Sequence, residues 1–314
     1  MNETDYQSDE DNGQIIYTAD EILNIGLHLV GFKGCRIERA SMITNKERFR
    51  GHFGSNPNVC AQIFEDLQST NVEEAYISPN AINIRYFLMA MHHLKRYPTE
   101  VKREAIFDIS HMCGQDWCWF YIKKIQALKA QKITWPDNNF EDTIWVISVD
   151  GTHCWIEEPQ HPTLSQNPSF FLHKFAKAGL DYKLGISLTE SRLVWMNGPF
   201  KAGTNDVTIF AKHGLLDKLK ETNKRGIADR GYGGHPDFLS LPNAHDSKEV
   251  KKFKSRASMR HETFNAYTKT FDCLSGRFRH SINRFKDCFE AVCVICQYQM
   301  ENGNPLFDVL IANA

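Results

Sequence analysis

The sequence predicts an α/β protein in which an all-α region comes first and strands alternate with helices afterwards. Apolar residues recur at helical spacing up to residue 136, whereas from Thr143 onward short runs of β-branched and aromatic residues take over. Of the 314 residues, 42% are hydrophobic and 24% are charged, a composition that supports a sizeable core and excludes wholesale disorder. The length favours two domains.

The first 14 residues include five acidic residues and no Lys or Arg. They offer almost nothing to bury, so we expect a disordered acidic tail that extends over residues 1–18. This segment lacks the basic and apolar regions of a secretory signal, and no apolar run reaches the roughly 18 residues of a membrane span. Nine cysteines, an odd number without regular spacing, favour reduced thiols over a disulfide scaffold. We therefore expect a protein that is neither secreted nor inserted in a membrane.

Residues 19–136 are predicted to be helical. Segments 19–31 and 45–68 mix apolar and polar residues at irregular helical spacing. Residues 83–95 show the i, i+3, i+4 pattern of an amphipathic helix, which Pro98 ends. Two further helices follow, with apolar faces at Val101, Ala105, Ile106 and Ile109 and at Trp117, Tyr121, Ile125 and Leu128.

These last three helices match the outline of a helix-turn-helix unit. In that interpretation the third helix carries Lys123, Lys124 and Lys129 toward DNA phosphates or base edges, and residues 19–136 form a DNA-binding region. An ordinary three-helix bundle with solvated lysines is the alternative. The spacing of the apolar residues alone does not favour the helix-turn-helix interpretation over this alternative.

From Thr143 the sequence predicts a sheet. TIWVISV, residues 143–149, has no polar face, as expected of a central strand covered on both sides. Three more apolar runs predict a meander of strands. A helical stretch is predicted over about 206–219, and two further strands and then helices are predicted after it. The three runs are 153–156, 182–188 and 192–196, and the later strands are GIADRGY at 226–232 and FLSLPN at 238–243.

Two aspartates stand at equivalent places in this pattern. Asp150 and Asp229 each end an apolar run and precede a glycine-containing turn. Ligands bind at the carboxyl ends of strands in α/β sheets, so the two carboxylates converge if their strands are neighbours. Two close anions need a shared proton or a cation between them, and Mg²⁺ suits an all-oxygen site.

A third oxygen ligand is expected on the helix that follows Asp229. The apolar stripe of that helix comprises Phe253, Ala257, Phe264, Tyr267 and Phe271. At 100° per residue Glu262 falls about 180° from this stripe, on a side with small or polar neighbours. Helical phase is equally compatible with a solvated glutamate and with a ligand that faces a cleft.

The motifs around these acids resemble a known family. SVDGTH at 148–153, GIADRGYGG at 226–234 and RHETFN at 260–265, with 32 residues between Asp229 and Glu262, resemble the DDE signature of PIF/Harbinger transposases, which are close to IS5-type enzymes. Two further segments are similar to that family, residues 179–210 between the first two acids and FDCLSGRFRH at 271–280. The similarity covers roughly residues 143–310 and is weaker over 45–135.

The resemblance implies an RNase H-like mixed sheet flanked by helices, in an endonuclease domain over residues 140–314. It implies that Asp150, Asp229 and Glu262 are catalytic and hold two Mg²⁺ or Mn²⁺ ions for in-line displacement at a phosphodiester bond. Water attack would cut DNA, and attack by a 3′-OH would transfer a strand. The implied partners are double-stranded DNA (terminal inverted repeats and target) and a Myb-like accessory protein, in the nucleus after cytoplasmic synthesis. A homo-oligomer is left open.

Basic residues are concentrated beside the third acid. Residues 248–286 hold eleven Lys or Arg against three acids, which gives +8 in a chain whose overall formal charge is −1. We expect Arg277, Arg279 and Lys286 to contact backbone phosphates, although such a run more often marks a solvated helix.

Two alternative functions remain open at this stage. One is a domesticated, non-catalytic DNA-binding or scaffold protein that keeps the fold, and the other is a structure-specific nuclease unrelated to transposition. Cys288, Cys293 and Cys296, with His280, fit no standard zinc spacing and are expected to be buried thiols.

Overall fold

The computed structural model describes residues 15–72, 77–78, 81–136, 143–157, 167–172 and 177–310. The predicted tail at 1–14 and the predicted domain boundary at 137–139 lie outside these ranges. The first eight helices are α1 Ala19–Leu29, α2 Cys35–Glu38, α3 Met42–Phe53, α4 Pro57–Asp66, α5 Ile84–Arg96, α6 Glu100–Phe107, α7 His111–Ala127 and α8 Lys129–Lys132. The remaining helices are α9 Asp206–Lys212, α10 Leu215–Thr222, α11 Lys248–Lys269, α12 Asp272–Ser275 and α13 Ile282–Glu301. Among these residues no helix combines the length and the apolar character that a membrane span requires.

The helix boundaries follow from local capping. Thr18 begins α1 with a capping box, in which its side chain accepts from the Glu21 amide and Glu21 accepts from the Thr18 amide. The predicted helical segment 45–68 contains a break, because Gly54 takes a left-handed conformation and Asn56 then caps α4. The Ile15 backbone exchanges two hydrogen bonds with the Gln68 side chain, so this part of the predicted tail is attached to the helical region.

Within the described ranges the sheet has six strands, with β1 at its centre. The strands are β1 Trp145–Trp155, β2 Phe171–Leu172, β3 Lys177–Ser187, β4 Leu193–Lys201, β5 Arg225–Ala228 and β6 Leu239–Ser240. β1 pairs antiparallel with β3 and parallel with β5, β6 pairs parallel with β5, and both β4 and β2 pair antiparallel with β3. The mixed sheet and its flanking helices agree with the predicted α/β class, and the arrangement is consistent with the fold of a DDE nuclease.

The predicted runs 143–149 and 153–156 form one strand instead of two. Asp150 and Gly151 keep the extended register and pair with Leu184 and Lys183 of β3. Backbone pairing with β3 outweighs the turn tendency of an Asp-Gly sequence.

Helices cover both faces of the sheet. On one face Leu215 and Leu219 of α10 pack in a core cluster with Val149 of β1. On the other face Phe253 of α11 packs with Ile227 of β5. The predicted helix over 206–219 is divided into α9 and α10.

A single large core joins the N-terminal helices to the C-terminal helix. The cluster extends from Ile22 of α1 to Leu306 and includes buried residues of α5, α7, β3 and α13. Its members include Cys288, Cys293 and Cys296, which are free and buried, as the sequence predicted. The division into two domains stays a prediction, since this core is continuous between the regions on either side of residue 137.

Candidate functional site

The two aspartates follow the last paired residues of two neighbouring parallel segments. Val149 of β1 pairs with Ala228 of β5, so Asp150 and Asp229 lie at the same level of the sheet. Asp229 directly follows the end of β5, whereas the strand end expected at Asp150 is wrong, because β1 continues to Trp155. The sequence-based expectation depended on these strands being adjacent, and the pairing of β1 with β5 meets that condition. Asp229 caps the short 3₁₀ turn that follows β5.

Helix α11 crosses the face of β1 that carries Asp150. The Ser148 hydroxyl lies 3.4 Å from Nδ1 of His261, and the Thr152 hydroxyl hydrogen-bonds to Asn265. Side chains alternate along a strand, so Asp150 points to the same face as Ser148 and Thr152, at a level between these two contacts. Glu262 lies between His261 and Asn265 on the helix, and its side chain is exposed.

Each aspartate is held by the amide of a nearby glycine. The Gly151 amide donates to Oδ1 of Asp150 at 2.7 Å, and the Gly231 amide donates to Oδ1 of Asp229 at 2.9 Å. Within the described ranges, neither Oδ2 atom accepts a hydrogen bond. These amides therefore orient the two carboxylates and leave one oxygen of each available to a ligand.

The charges of the other two acids act on Asp150. The pKa of Asp150 is raised from 3.8 to about 6, chiefly by burial and in part by the negative charges of Asp229 and Glu262. The hydrogen bond from Gly151 and the charge of Lys183 lower this pKa. The site therefore has an excess of negative charge that a cation would relieve.

The side chains are not arranged around a common point. In the described part of the chain, no group of three or more His, Cys, Asp or Glu side chains is placed so that it could hold a metal ion. The donor set itself suits Mg²⁺ or Mn²⁺, because it consists only of carboxylate oxygens. Glu262 is exposed, so its side chain can change rotamer without disturbing the packing of α11.

A buried charged cluster lies on the face of the sheet opposite to the side chain of Asp150. Lys183 of β3 forms ion pairs with Asp181 and with Asp206 of α9, the latter at 2.5 Å. Burial disfavours the charged ammonium, but the two carboxylates outweigh it and raise the pKa of Lys183. Sequence reasoning missed this cluster. The sequence does contain a signal for it, because Asp181 and Lys183 stand at alternate positions of an otherwise apolar strand.

The lysines of the predicted recognition helix are not all available to DNA. Lys124 is 1% exposed, and its ammonium donates to the carbonyls of Leu67 and Thr70 at 3.2 and 2.8 Å. Lys129 forms a 3.0 Å ion pair with the buried Glu290. Lys123 is half-buried. The sequence-based contact is therefore not available at Lys124, because its side chain is occupied inside the protein.

The three basic residues of the C-terminal part are exposed. Arg277 and Lys286 lie on the surface, whereas Arg279 donates to the Tyr97 carbonyl at 2.6 Å and stacks over the Tyr97 ring. Although it is exposed, Arg279 is thus held by Tyr97 of the same chain.

A polar cleft opens beside Asp229. It has a volume of about 420 Å³, and Arg225, Arg230 and Lys254 are among the residues that line it. Arg230 is exposed, whereas Lys254 is paired with Asp246 at 2.8 Å. Sequence reasoning did not single out Arg230, although its position directly after Asp229 was visible.

One of three comparisons with known proteins gives a match. The chain gives no significant match to curated proteins, and none to solved structures. Residues 149–297, however, match the family described as DDE superfamily endonuclease, and this range includes Asp150, Asp229 and Glu262. The match supports the assignment of this segment to the DDE superfamily of endonucleases.

Proposed function

We propose that the chain is a transposase-type, divalent-metal-dependent DNA endonuclease and strand transferase that acts on phosphodiester bonds at transposon ends. The observation that carries the proposal is that Asp150 and Asp229 directly follow the paired residues Val149 of β1 and Ala228 of β5, with α11 and Glu262 across the same face. The similarity of residues 149–297 to DDE superfamily endonucleases supports it.

In this proposal Asp150, Asp229 and Glu262 hold Mg²⁺ or Mn²⁺, and two such ions, when bound, supply Lewis-acid stabilisation of the attacking and leaving oxygens. The chain's own contribution is orientation. The amides of Gly151 and Gly231 fix one oxygen of each aspartate. With a pKa of about 6, Asp150 is mainly ionised above neutral pH and can act as a ligand.

We place the DNA along exposed basic residues of the second half of the chain. Arg230 stands beside Asp229, and Arg277 and Lys286 are exposed in the positively charged part of the sequence. Lysine and arginine side chains of this kind neutralise phosphates without regard to base sequence. Lys123 stays a candidate contact of the helical region, whereas the proposed interface omits Lys124.

The test is cleavage of DNA that carries terminal inverted repeats, in Mg²⁺ or Mn²⁺. We expect Asp150→Asn, Asp229→Asn and Glu262→Gln each to abolish cleavage while DNA binding persists. Glu221→Gln, which changes an exposed glutamate of α10, is the matched control and should retain activity. Cleavage by all three site variants at the rate of the unchanged protein would refute the proposal.

A non-catalytic DNA-binding or scaffold protein with the same fold is the second candidate. It is favoured by the absence, among the described residues, of three acidic, His or Cys side chains close enough to share an ion. Titration calorimetry with Mn²⁺ separates the two functions. The enzyme requires binding that Asp150→Asn removes, whereas the scaffold requires none.

Finer assignments follow from the sequence resemblance. We propose membership of the PIF/Harbinger group, recognition of terminal inverted repeats and target DNA, a nuclear location and a Myb-like accessory protein. A homo-oligomer would bring two transposon ends together. Flanking inverted repeats and an adjacent Myb-like gene in the genome would support this group, and their absence would argue for a domesticated protein.

A further inference from the structure

Lys183 is a buried cation next to the candidate site. Its side chain is 2% exposed, and it forms ion pairs with Asp181, which is 1% exposed, and with Asp206 at 2.5 Å. A buried ammonium is costly unless it is paired, and this one has two carboxylate partners. The ion pairs join β3 to the beginning of α9.

The ammonium also lies directly against the residue that follows Asp150. Gly151 pairs with Lys183 across β1 and β3, and a Cβ atom at position 151 would overlap with Nζ of Lys183. The close approach is possible because position 151 has no side chain. Gly151 is the same residue whose amide holds the Asp150 carboxylate.

A similar contact reaches the turn that follows Asp229. A Cβ atom at Gly231 would lie 2.7 Å from Oδ2 of Asp206 and 3.1 Å from Oδ1 of Asp229. Asp206 therefore touches the turn whose amide holds Asp229, while its other oxygen is paired with Lys183. The ion pair between Lys183 and Asp206 thus contacts both glycine residues of the site, Gly151 within β1 and Gly231 in the turn after β5.

We propose that Lys183 is a positioning residue, whose ammonium, together with Asp206, sets the spacing between the Asp150 and Asp229 carboxylates for divalent-cation binding. This inference rests on the proposed function, since it concerns the same carboxylates. Lys183 does not touch the cation or DNA in this proposal. It acts through Gly151 and Gly231, in the way that residues behind the ligands of a metal site orient those ligands.

The test uses Lys183→Ala in the full chain with Mn²⁺ as the probe. We expect calorimetry to show binding weakened about tenfold or more, the usual effect of losing a residue behind a metal ligand. Addition of n-propylammonium, which supplies the three carbons and the ammonium that the substitution removes, should restore most of the affinity. Neutral 1-propanol should not. Equal effects of the two additives, or unchanged affinity in Lys183→Ala, would overturn the proposal.

A second variant tests the same contact without removing the lysine. Gly151→Ala places a methyl group where the ammonium lies, so we expect weaker Mn²⁺ binding. Gly51→Ala is the control, because no atom lies within 4 Å of a Cβ built there. If Gly151→Ala binds Mn²⁺ as tightly as Gly51→Ala, the positioning role is wrong.

Failure of the proposed function has a different signature. If the unchanged protein binds no Mn²⁺, or if Asp150→Asn binds it equally well, the metal site itself is refuted. If Asp150→Asn abolishes binding and the Lys183 and Gly151 variants do not weaken it, only the positioning role fails.

Discussion

Glu290 of α13 and Lys129 of α8 form an ion pair of 3.0 Å in which the carboxylate is almost completely buried. Glu290 also accepts hydrogen bonds from Gln126 at 2.6 Å and from the Tyr182 hydroxyl at 3.4 Å. Tyr182 belongs to β3, so one carboxylate connects the sheet, the C-terminal helix and the end of the N-terminal helical region.

Replacement of Glu290 should therefore destabilise the whole molecule. We expect Glu290→Ala to lower the free energy of unfolding by roughly 3–5 kcal/mol, because it removes the buried partner of Lys129 and leaves two neutral donors unpaired. Urea unfolding monitored by circular dichroism measures the change. Glu221→Ala, at an exposed pair, should change stability by less than about 0.5 kcal/mol. Similar losses in the two variants would contradict the buried network.

Asp150→Asn should stabilise the metal-free protein in a pH-dependent way. The pKa of Asp150 is about 6 in the folded protein against an ordinary 3.8, so folding favours its protonated form. Stability from this group is thus present below about pH 4, falls as pH rises to about 6 and stays low above that. A shift of two units corresponds to at most about 3 kcal/mol.

We therefore expect thermal unfolding at about pH 8, with a chelator present, to show a higher Tm for Asp150→Asn than for the unchanged chain. Near pH 3 the two should have similar values of Tm, because Asp150 is then mainly protonated in both the folded and the unfolded state. A lower Tm for the variant at the higher pH would contradict the raised pKa of Asp150, because ionisation of its carboxyl would then not destabilise the folded protein.

Gly26→Ala should disrupt the contact between α1 and α3. A Cβ atom there would overlap with the Phe49 ring and lie 2.9 Å from Phe53, both fully buried. Overpacking of this kind costs about 1–3 kcal/mol, measurable by urea unfolding. Gly51→Ala is in a helix with open space around it and should stabilise by up to about 1 kcal/mol. A stabilising Gly26→Ala would refute the close packing.

Lys286 and Lys124 should differ in their effects on DNA binding. Lys286→Ala is expected to weaken binding uniformly across sequences and to reduce the salt slope by about one, with little change in stability. Lys124→Met should leave DNA affinity unchanged, and it should lower stability by about 1–3 kcal/mol because the carbonyls of Leu67 and Thr70 lose their donor. Fluorescence anisotropy at several salt concentrations tests both. If Lys124→Met alone changed the dependence of DNA affinity on salt concentration, the proposed interface would be wrong.

Much of the sheet and of the candidate site could be predicted because it depends on local pattern. The apolar runs before Asp150 and Asp229 predict two strands, and the glycine-containing turn after Asp229 predicts the end of β5, from adjacent residues alone. The helical phase of Glu262 correctly placed it away from the main apolar stripe of α11. The single strand over 145–155 could not be predicted, because only pairing with β3 keeps Asp150 and Gly151 extended.

The interpretation of α7 was limited for a related reason. Its spacing matches a solvent-facing helix with lysines, but α13, more than 150 residues away in sequence, covers one side of it. Residues that end up as partners at such separations leave no trace in local periodicity. The alternate positions of Asp181 and Lys183 in β3 indicate a polar pair, but they do not reveal the partner Asp206, which lies in α9 after β4.

The continuous core that includes Ile22, Phe87, Phe120 and Val292 determines how the protein can be dissected. A fragment that starts at residue 143 would keep the carboxylates but expose the apolar surface of α13, while the helical fragment alone would lose the helix that seals it. Each half therefore needs the other for solubility. Exchange of the N-terminal segment between related proteins would succeed only if the facing side of α13 were exchanged with it.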